Sequence, residues 1–181
     1  MKPLEGIRII DLTHMLAGPY SGMILADLGA EVVKIEPLYT GEMTRSLLSQ
    51  DPRYSFKNFG AYFLTLNRNK KSVAIDLKQD EGLKVFYDLV ANSDVVLNNF
   101  SAGVVEKLKI DYKNLKKINS KIITCSITGF GETGPHSKRP AYDNIIQAYS
   151  GGMSITGSDS NSPIRSGIPI ADLGGGLYSV V

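Results

Sequence analysis

The chain has 181 residues, 43% hydrophobic and 21% charged, with a formal net charge of +2. That balance fits one soluble globular domain with a real core and gives no long-range reason to expect nucleic acid; a single cysteine, Cys125, excludes an internal disulfide. No apolar run approaches bilayer length, and Met1–Gly6 lacks the apolar core of a signal peptide, so no membrane partner and a cytoplasmic location are expected.

In chain order, Ile7–Leu12 is an apolar run ending beside Asp11, the pattern of a strand buried on both faces. A helix follows from about Pro19, which suits a first turn, to Leu28, and Gly29 ends it. Glu31–Glu36 is the next strand, completing a βαβ unit. Pro37 stops it, and a polar region of turns runs to about Gly60. Ser72–Asp76 is a third strand. The stretch from Asp80 to Asn92 is an amphipathic helix with Leu83, Phe86, Tyr87 and Val90 on one face. Asp94–Leu97 and Lys121–Ile127 are further strands, with helical segments near Val104–Leu108 and Tyr112–Ile118 between them. A Gly/Pro loop spans Gly129–Pro140, a helix covers Asp143–Tyr149, and Leu173–Val181 starts another. The alternation predicts an open, mostly parallel, Rossmann-like α/β sheet flanked by helices. Lys107, Lys109, Lys113, Lys116, Lys117 and Lys121 read first as the solvated face of a helical region and second as a site for an anionic ligand, and Cys125 reads as a buried core thiol. The apolar ending Tyr178–Val181 carries no cap or stop signal, which predicts that further chain covers this face.

The strongest chemical signal is Ile168–Gly176, where Asp172 follows an apolar run and precedes three glycines. An acid framed by Ile168, Ile170, Ala171 and Leu173 must be paired, hydrogen-bonded or functional. Taken locally, Asp172 is either a helix N-cap or a nucleophile on an uncrowded turn. The first βα turn, Thr13–Gly22, stands where a doubly wound sheet meets phosphates, and Glu36 where a ribose-binding acid would be. The G-x-G spacing is missing and Pro19 removes an amide donor, which disfavours a dinucleotide. His14 fits either a proton shuttle or a structural hydrogen bond, and His136 an exposed loop position. Asn67–Ser72 is either a solvated turn or an anion site. No His, Cys and acid grouping has metal-site spacing, and there is no G-x-S-x-G elbow. Thr13, Asn99 and Thr128 should converge at the carboxyl ends of the strands, where open α/β sheets bind ligands.

Several ordered motifs together resemble the family III CoA-transferases, the CaiB/BaiF type. They are Pro3–Thr13, Ala17-Gly-Pro19, Leu28–Glu36, Asn67–Ser72, Thr128–Gly131 with Gly134-Pro135, Ala141-Tyr-Asp143 and Asp172–Gly176. The resemblance implies transfer of CoA between two carboxylic acids, with acyl-CoA as substrate and no metal. It implies that Asp172 is the nucleophile, passing through an aspartyl anhydride and an aspartyl-CoA thioester. By the same resemblance, CoA contacts fall at His14, Leu16, Ala17, Ile75, Lys78, Asn99, Phe100, Lys107, Arg139, Tyr142 and Asp143. Gly174–Gly176 would leave room for the acylated Asp172.

The family also contains α-methylacyl-CoA racemases, whose histidine falls at Tyr142 here. A phenol with an ordinary pKa of about 10 is a poorer proton shuttle than imidazole, which favours transfer. Formyl-type transferases carry a Gln and an Arg where this chain has Leu16 and Pro37, which points to another carboxylic acid. Family members are considerably longer and form interlaced homodimers. Residues 1–181 therefore correspond to the N-terminal part of the large domain, without the small domain. A non-catalytic CoA-binding fragment is the reading from a different class.

Overall fold

The computed structural model describes residues 1–161 and 163–181. It opens with β1 (Arg8–Asp11), α1 (Ala17–Asp27) and β2 (Glu31–Glu36). The segment expected as plain turns holds more: a 3-10 turn at Met43–Arg45, a hairpin of β3 (Ser55–Phe56) and β4 (Phe59–Gly60), and α2 (Ala61–Leu66). These pieces are too short to show a period in sequence, and α2 is held by burying Phe63 and Leu66 rather than by propensity. Strand β5 is Lys70–Ala74, earlier than the expected Ser72–Asp76, because pairing with β2 sets it: Val32 opposes Lys70 and Glu36 opposes Ala74. Then come α3 (Asp80–Ala91), β6 (Val95–Asn98), α4 (Val104–Lys107), α5 (Tyr112–Ile118), β7 (Ile123–Ser126), α6 (Asp143–Tyr149), a 3-10 turn at Gly152–Ile155, and α7 (Ile170–Tyr178).

Five strands form one sheet in the order β5-β2-β1-β6-β7, and every neighbouring pair is parallel. The chain builds outward from β1 through β2 to β5, then returns to the other side of β1. The strand order therefore reverses between β1 and β6, the crevice position of open α/β sheets. Side chains alternate across the central strands as a sheet buried on both faces requires. Ile10, Val33 and Val96 pack with Phe86 and Val90 of α3 and Leu115 of α5. Ile9, Val32 and Leu97 pack with Ala26 of α1 on the other face. Phe86, Val90 and Leu115 are fully buried, so these helices are held by their apolar faces. Asp80 and Glu81 in the first turn of α3 also complement its dipole.

The six clustered lysines are all exposed. Cys125 is half-buried rather than a core thiol, because β7 is an edge strand whose outer side is open; its neighbour Ile123 is exposed. No helix among the described residues is long and apolar enough to cross a membrane.

Candidate active site at the strand-order reversal

A cleft of about 480 Å³ opens over the carboxyl ends of β1, β6 and β7. The first βα turn supplies His14, Met15, Leu16 and Ala17, the end of β6 supplies Asn99 and Phe100, and the segment after β7 supplies Thr128 and Phe130. Arg139, Tyr142, Asp172 and Gly175 close the far side. Its size lies in the usual range for small-molecule sites.

Side chains, not secondary structure, hold the first turn in shape. The Thr13 N–H and hydroxyl donate to Asp11 Oδ1 at 2.8 and 2.5 Å. Lys34 Nζ donates to the Thr13 carbonyl at 2.7 Å. Asn99 grips His14 twice: its Oδ1 accepts the His14 N–H at 2.9 Å and its Nδ2 donates to the His14 carbonyl at 2.8 Å. This pair of hydrogen bonds ties the turn after β1 to the residue after β6 across the reversal point. The Met15 N–H, on a residue with φ of +66°, donates to Glu42 Oε1 at 2.9 Å. An irregular segment buried at a sheet edge needs such partners for every peptide group.

Beneath this turn lies a buried charge cluster. Asp11, Lys34 and Lys70 side chains are nearly inaccessible, with Asp11 Oδ2 2.9 Å from Lys70 Nζ and 3.6 Å from Lys34 Nζ. Burial opposes ionisation of Asp11, but Lys34, Lys70 and the Thr13 hydroxyl outweigh it and hold the carboxyl below its ordinary value. Burial pushes Lys70 down to about 8. Lys70 also donates to the Pro19 carbonyl at 2.8 Å and to Asn67 Oδ1 at 2.9 Å. The polar segment Asn67–Ser72 is therefore partly a structural anchor. Glu36 is engaged too: it takes two bonds of 2.6 Å from Arg45 and one of 2.6 Å from Ser72. Those bonds overcome its burial and hold the Glu36 carboxyl down at about 2. Glu36 faces Arg45 instead of a ribose.

Asp172 lies in the first turn of α7, but it is not the cap. Pro169 holds the N-cap position without a side-chain bond. Capping comes from α6: Asp143 Oδ1 accepts the N–H groups of Ala171 and Asp172 at 2.9 and 3.3 Å. Gln147 fastens the approach, donating to Asp143 Oδ2 at 2.6 Å and accepting the Ser166 N–H at 2.7 Å. With Asp143 as cap, α7 starts at Ile170, earlier than the expected Leu173. The Asp172 carboxylate is half-buried, and no hydrogen bond to it is found among the described residues. Burial, then the Asp143 charge, raises its pKa. An unpaired carboxylate with raised basicity, facing a cleft, is chemically a nucleophile or base.

The three glycines divide their roles. A Cβ on Gly174 would meet nothing within 4 Å, and one on Gly175 only Ile127 at 3.7 Å, so this side of α7 is open. A Cβ on Gly176 would lie 2.5 Å from the Ala17 carbonyl oxygen, so Gly176 is what lets α7 pack on α1. Ser21 strengthens that contact, donating to the Gly176 carbonyl at 3.1 Å. Gly176→Ala should cost about 1–3 kcal/mol by overpacking, whereas Gly174→Ala should gain up to about 1 kcal/mol from helix propensity. Urea melts of both variants check this; equal midpoints would mean that the α1–α7 contact is looser than described.

Of the residues implied by resemblance, His14, Leu16, Ala17, Asn99, Phe100, Arg139, Tyr142 and Asp172 line this cleft. Ile75 does not: its side chain is 7% exposed and packs in the core. Lys78 and Lys107 are exposed and outside the cleft lining. Asp143 is buried, is absent from the cleft lining, and uses Oδ1 to cap α7. Sequence reasoning missed Met43 and Phe130, which also line the cleft, and Glu42, which lies behind it. The usable signal was the Glu42-Met-Thr44 capping pattern, since Glu42 accepts the Thr44 N–H at 3.1 Å.

The profile of CoA-transferase family III matches residues 4–181. A Mus musculus protein described as succinyl-CoA:glutarate CoA-transferase is 45% identical over 179 residues, 99% of this chain and 40% of its own. An Agrobacterium fabrum succinate–glutarate CoA-transferase is 43% identical over 183 residues, covering 98% of this chain and 45% of its own. A CaiB/BaiF family protein from Brucella suis superposes with a TM-score of 0.92 at 42% identity, covering 99% of this chain and 47% of its own. The chain thus spans less than half the length of these relatives.

Proposed function

The chain belongs to CoA-transferase family III, and we propose that it is the CoA-binding, nucleophile-bearing part of an acyl-CoA:carboxylate CoA-transferase. In this reading residues 1–181 are the N-terminal part of the large domain, and the whole enzyme adds a small domain. The observation that carries it is the Asp172 carboxylate: unpaired among the described residues, half-buried, raised in pKa and set at the cleft wall. Tyr142, 70% exposed at the cleft, supports transfer over racemisation, since a phenol is a weak shuttle at neutral pH.

The reaction balances without a net proton. An Asp172 oxygen attacks the thioester carbonyl, forming a mixed anhydride and releasing CoA thiolate. The thiolate attacks the aspartyl carbonyl, giving an aspartyl-CoA thioester and freeing the first carboxylate. The incoming carboxylate attacks that thioester, re-forming an anhydride and thiolate. The thiolate then takes the new acyl group and restores Asp172. Gly174 and Gly175 leave space beside the acylated side chain. Arg139, whose Nη1 bonds the Tyr149 hydroxyl and which makes no ion pair among the described residues, is a cation for an anionic ligand group. The names of the relatives described above support succinate or glutarate as the acyl group, and Leu16, which replaces the Gln of the formyl-type enzymes, weighs against formate or oxalate. The same reading has the whole enzyme as a cytoplasmic homodimer, with the exposed Ile168, Ile170, Leu177 and Tyr178 around α7 as partner surface.

The test is chemical trapping. Succinyl-CoA and hydroxylamine should convert Asp172 to a hydroxamate, located by peptide mass mapping. CoA binding without modification of Asp172 sinks the catalytic reading for this chain, and label on another acid sinks the assignment.

A further inference from the structure

Glu42 lies behind the cleft and bonds to two segments that line it. Its side chain is fully buried, and it comes from the segment before α2, not from the sheet. Oε1 accepts the Met15 N–H at 2.9 Å. Oε2 accepts the Thr44 N–H at 3.1 Å and the Thr44 hydroxyl, which fixes the 3-10 turn carrying Met43. Met15 and Met43 both line the cleft. Met15 adopts φ of +66°, a conformation that costs a non-glycine residue about 1 kcal/mol or more and persists only when neighbours enforce it. The Glu42 backbone is itself anchored, its N–H donating to Glu36 Oε2 at 2.8 Å. Oε1 also lies 4.0 Å from His14 Nδ1, a buried ring nitrogen without a hydrogen-bond partner among the described residues.

We propose that Glu42 is a positioning residue of the cleft: its one carboxylate clamps the strained Met15 peptide, sets the turn bearing Met43, and faces the unpartnered Nδ1 of His14. It touches no ligand itself. A neutral hydrogen-bonding residue would hold Met15 more weakly, because hydrogen bonds to an ionised acceptor are stronger. The charged groups acting on His14 are Lys34 from β2, which opposes protonation, and Glu42, Asp11 and Glu36, which favour it; burial, the largest influence, keeps the imidazole below its ordinary value.

The test uses Glu42→Gln. Nuclear magnetic resonance titration of His14 in the free protein should show its pKa fall further in E42Q, because a charge favouring the imidazolium is gone. An unchanged His14 titration in folded E42Q overturns the proposal. With coenzyme A as probe, E42Q should bind about tenfold more weakly. In a Met15→Gly background, where φ of +66° carries no strain, the same change should cost threefold or less. Equal losses in both backgrounds also overturn it. The affinity arm rests on the proposed function, whereas the His14 arm does not. A chain that binds no coenzyme A therefore refutes the function and leaves the titration to decide on Glu42. Should E42Q fail to fold, amide exchange of Met15 in the unaltered protein serves: strong protection is expected, and exchange at an open-chain rate overturns the clamp.

Discussion

Asp172→Asn should abolish formation of the aspartyl adduct, change CoA affinity by less than about twofold, and raise the melting temperature. The first effect follows because an amide cannot form the anhydride that a carboxylate forms. Affinity should hold because Asp172 is one small group in a cleft whose other walls come from the first turn, the end of β6 and the segment after β7. The gain in stability follows from sign. Burial and Asp143 raise the folded pKa of Asp172 above its unfolded value, so its charge is destabilising at neutral pH. That penalty is relieved as pH falls through the folded value, and Asn removes it at every pH. Mass mapping after succinyl-CoA treatment, isothermal titration with CoA and thermal melts read the three effects. A residual adduct on the variant would refute the assigned nucleophile; a lowered melting temperature would refute the account of its burial.

Asp11→Ala should be the most damaging single change to folding, costing about 3–5 kcal/mol. Asp11 is fully buried and is the carboxylate that faces both Lys34 and Lys70. Without it two ammonium groups lie against each other out of water, and the Thr13 N–H and hydroxyl lose their acceptor. The damage would reach the cleft directly, since Lys34 holds the Thr13 carbonyl. Urea unfolding read by circular dichroism checks the cost, and a midpoint within error of the unaltered protein would contradict it.

Asp11 and the separately paired Glu36 together set the acid limit of the fold. Asp11 and Glu36 both have folded pKa values below their unfolded ones, Glu36 at about 2 against 4.5. Their stabilisation is fully present above the unfolded values and is lost as pH falls through the folded ones. Glu36 alone accounts for about 3 kcal/mol of this dependence. Stability should therefore fall steeply between about pH 4.5 and 2. Arg45→Met, which removes the bidentate partner of Glu36, should flatten that fall in an acid titration.

Much was legible in the chain. The run Ile7–Leu12 announces a strand buried on both faces because apolar residues dominate it, and the β-branched pairs Val32-Val33 and Val95-Val96 announce two more strands. The 80–92 stretch announces a helix because its apolar residues repeat at helical spacing. Ordered motifs are local in sequence, so family membership was legible as well, and with it the candidate status of Asp172. The helix α2 and the hairpin before it were not legible: each is too short for a period and exists because its residues pack on something distant. The register of β5 was decided by β2, not by its own apolar run.

At the site, the sequence by itself determined which chemical groups are present: one carboxylate before three glycines, an Asn-Asn-Phe strand end, and a His in the first turn. Only the tertiary structure decided what each of them does. It gave the capping of α7 to Asp143, 29 residues before Asp172, and so left the Asp172 carboxylate without a hydrogen-bond partner among the described residues. It split the glycines, two facing open space and one against α1. It sent Glu36 to Arg45 and tied His14 to Asn99 across 85 residues of sequence. The physical reason is common to all of these. Periodicity and motifs report interactions within a few residues along the chain. The partner of a buried polar group is chosen by whichever groups the sheet order brings within 3 Å, and leaving such a group unpaired costs about 1–3 kcal/mol.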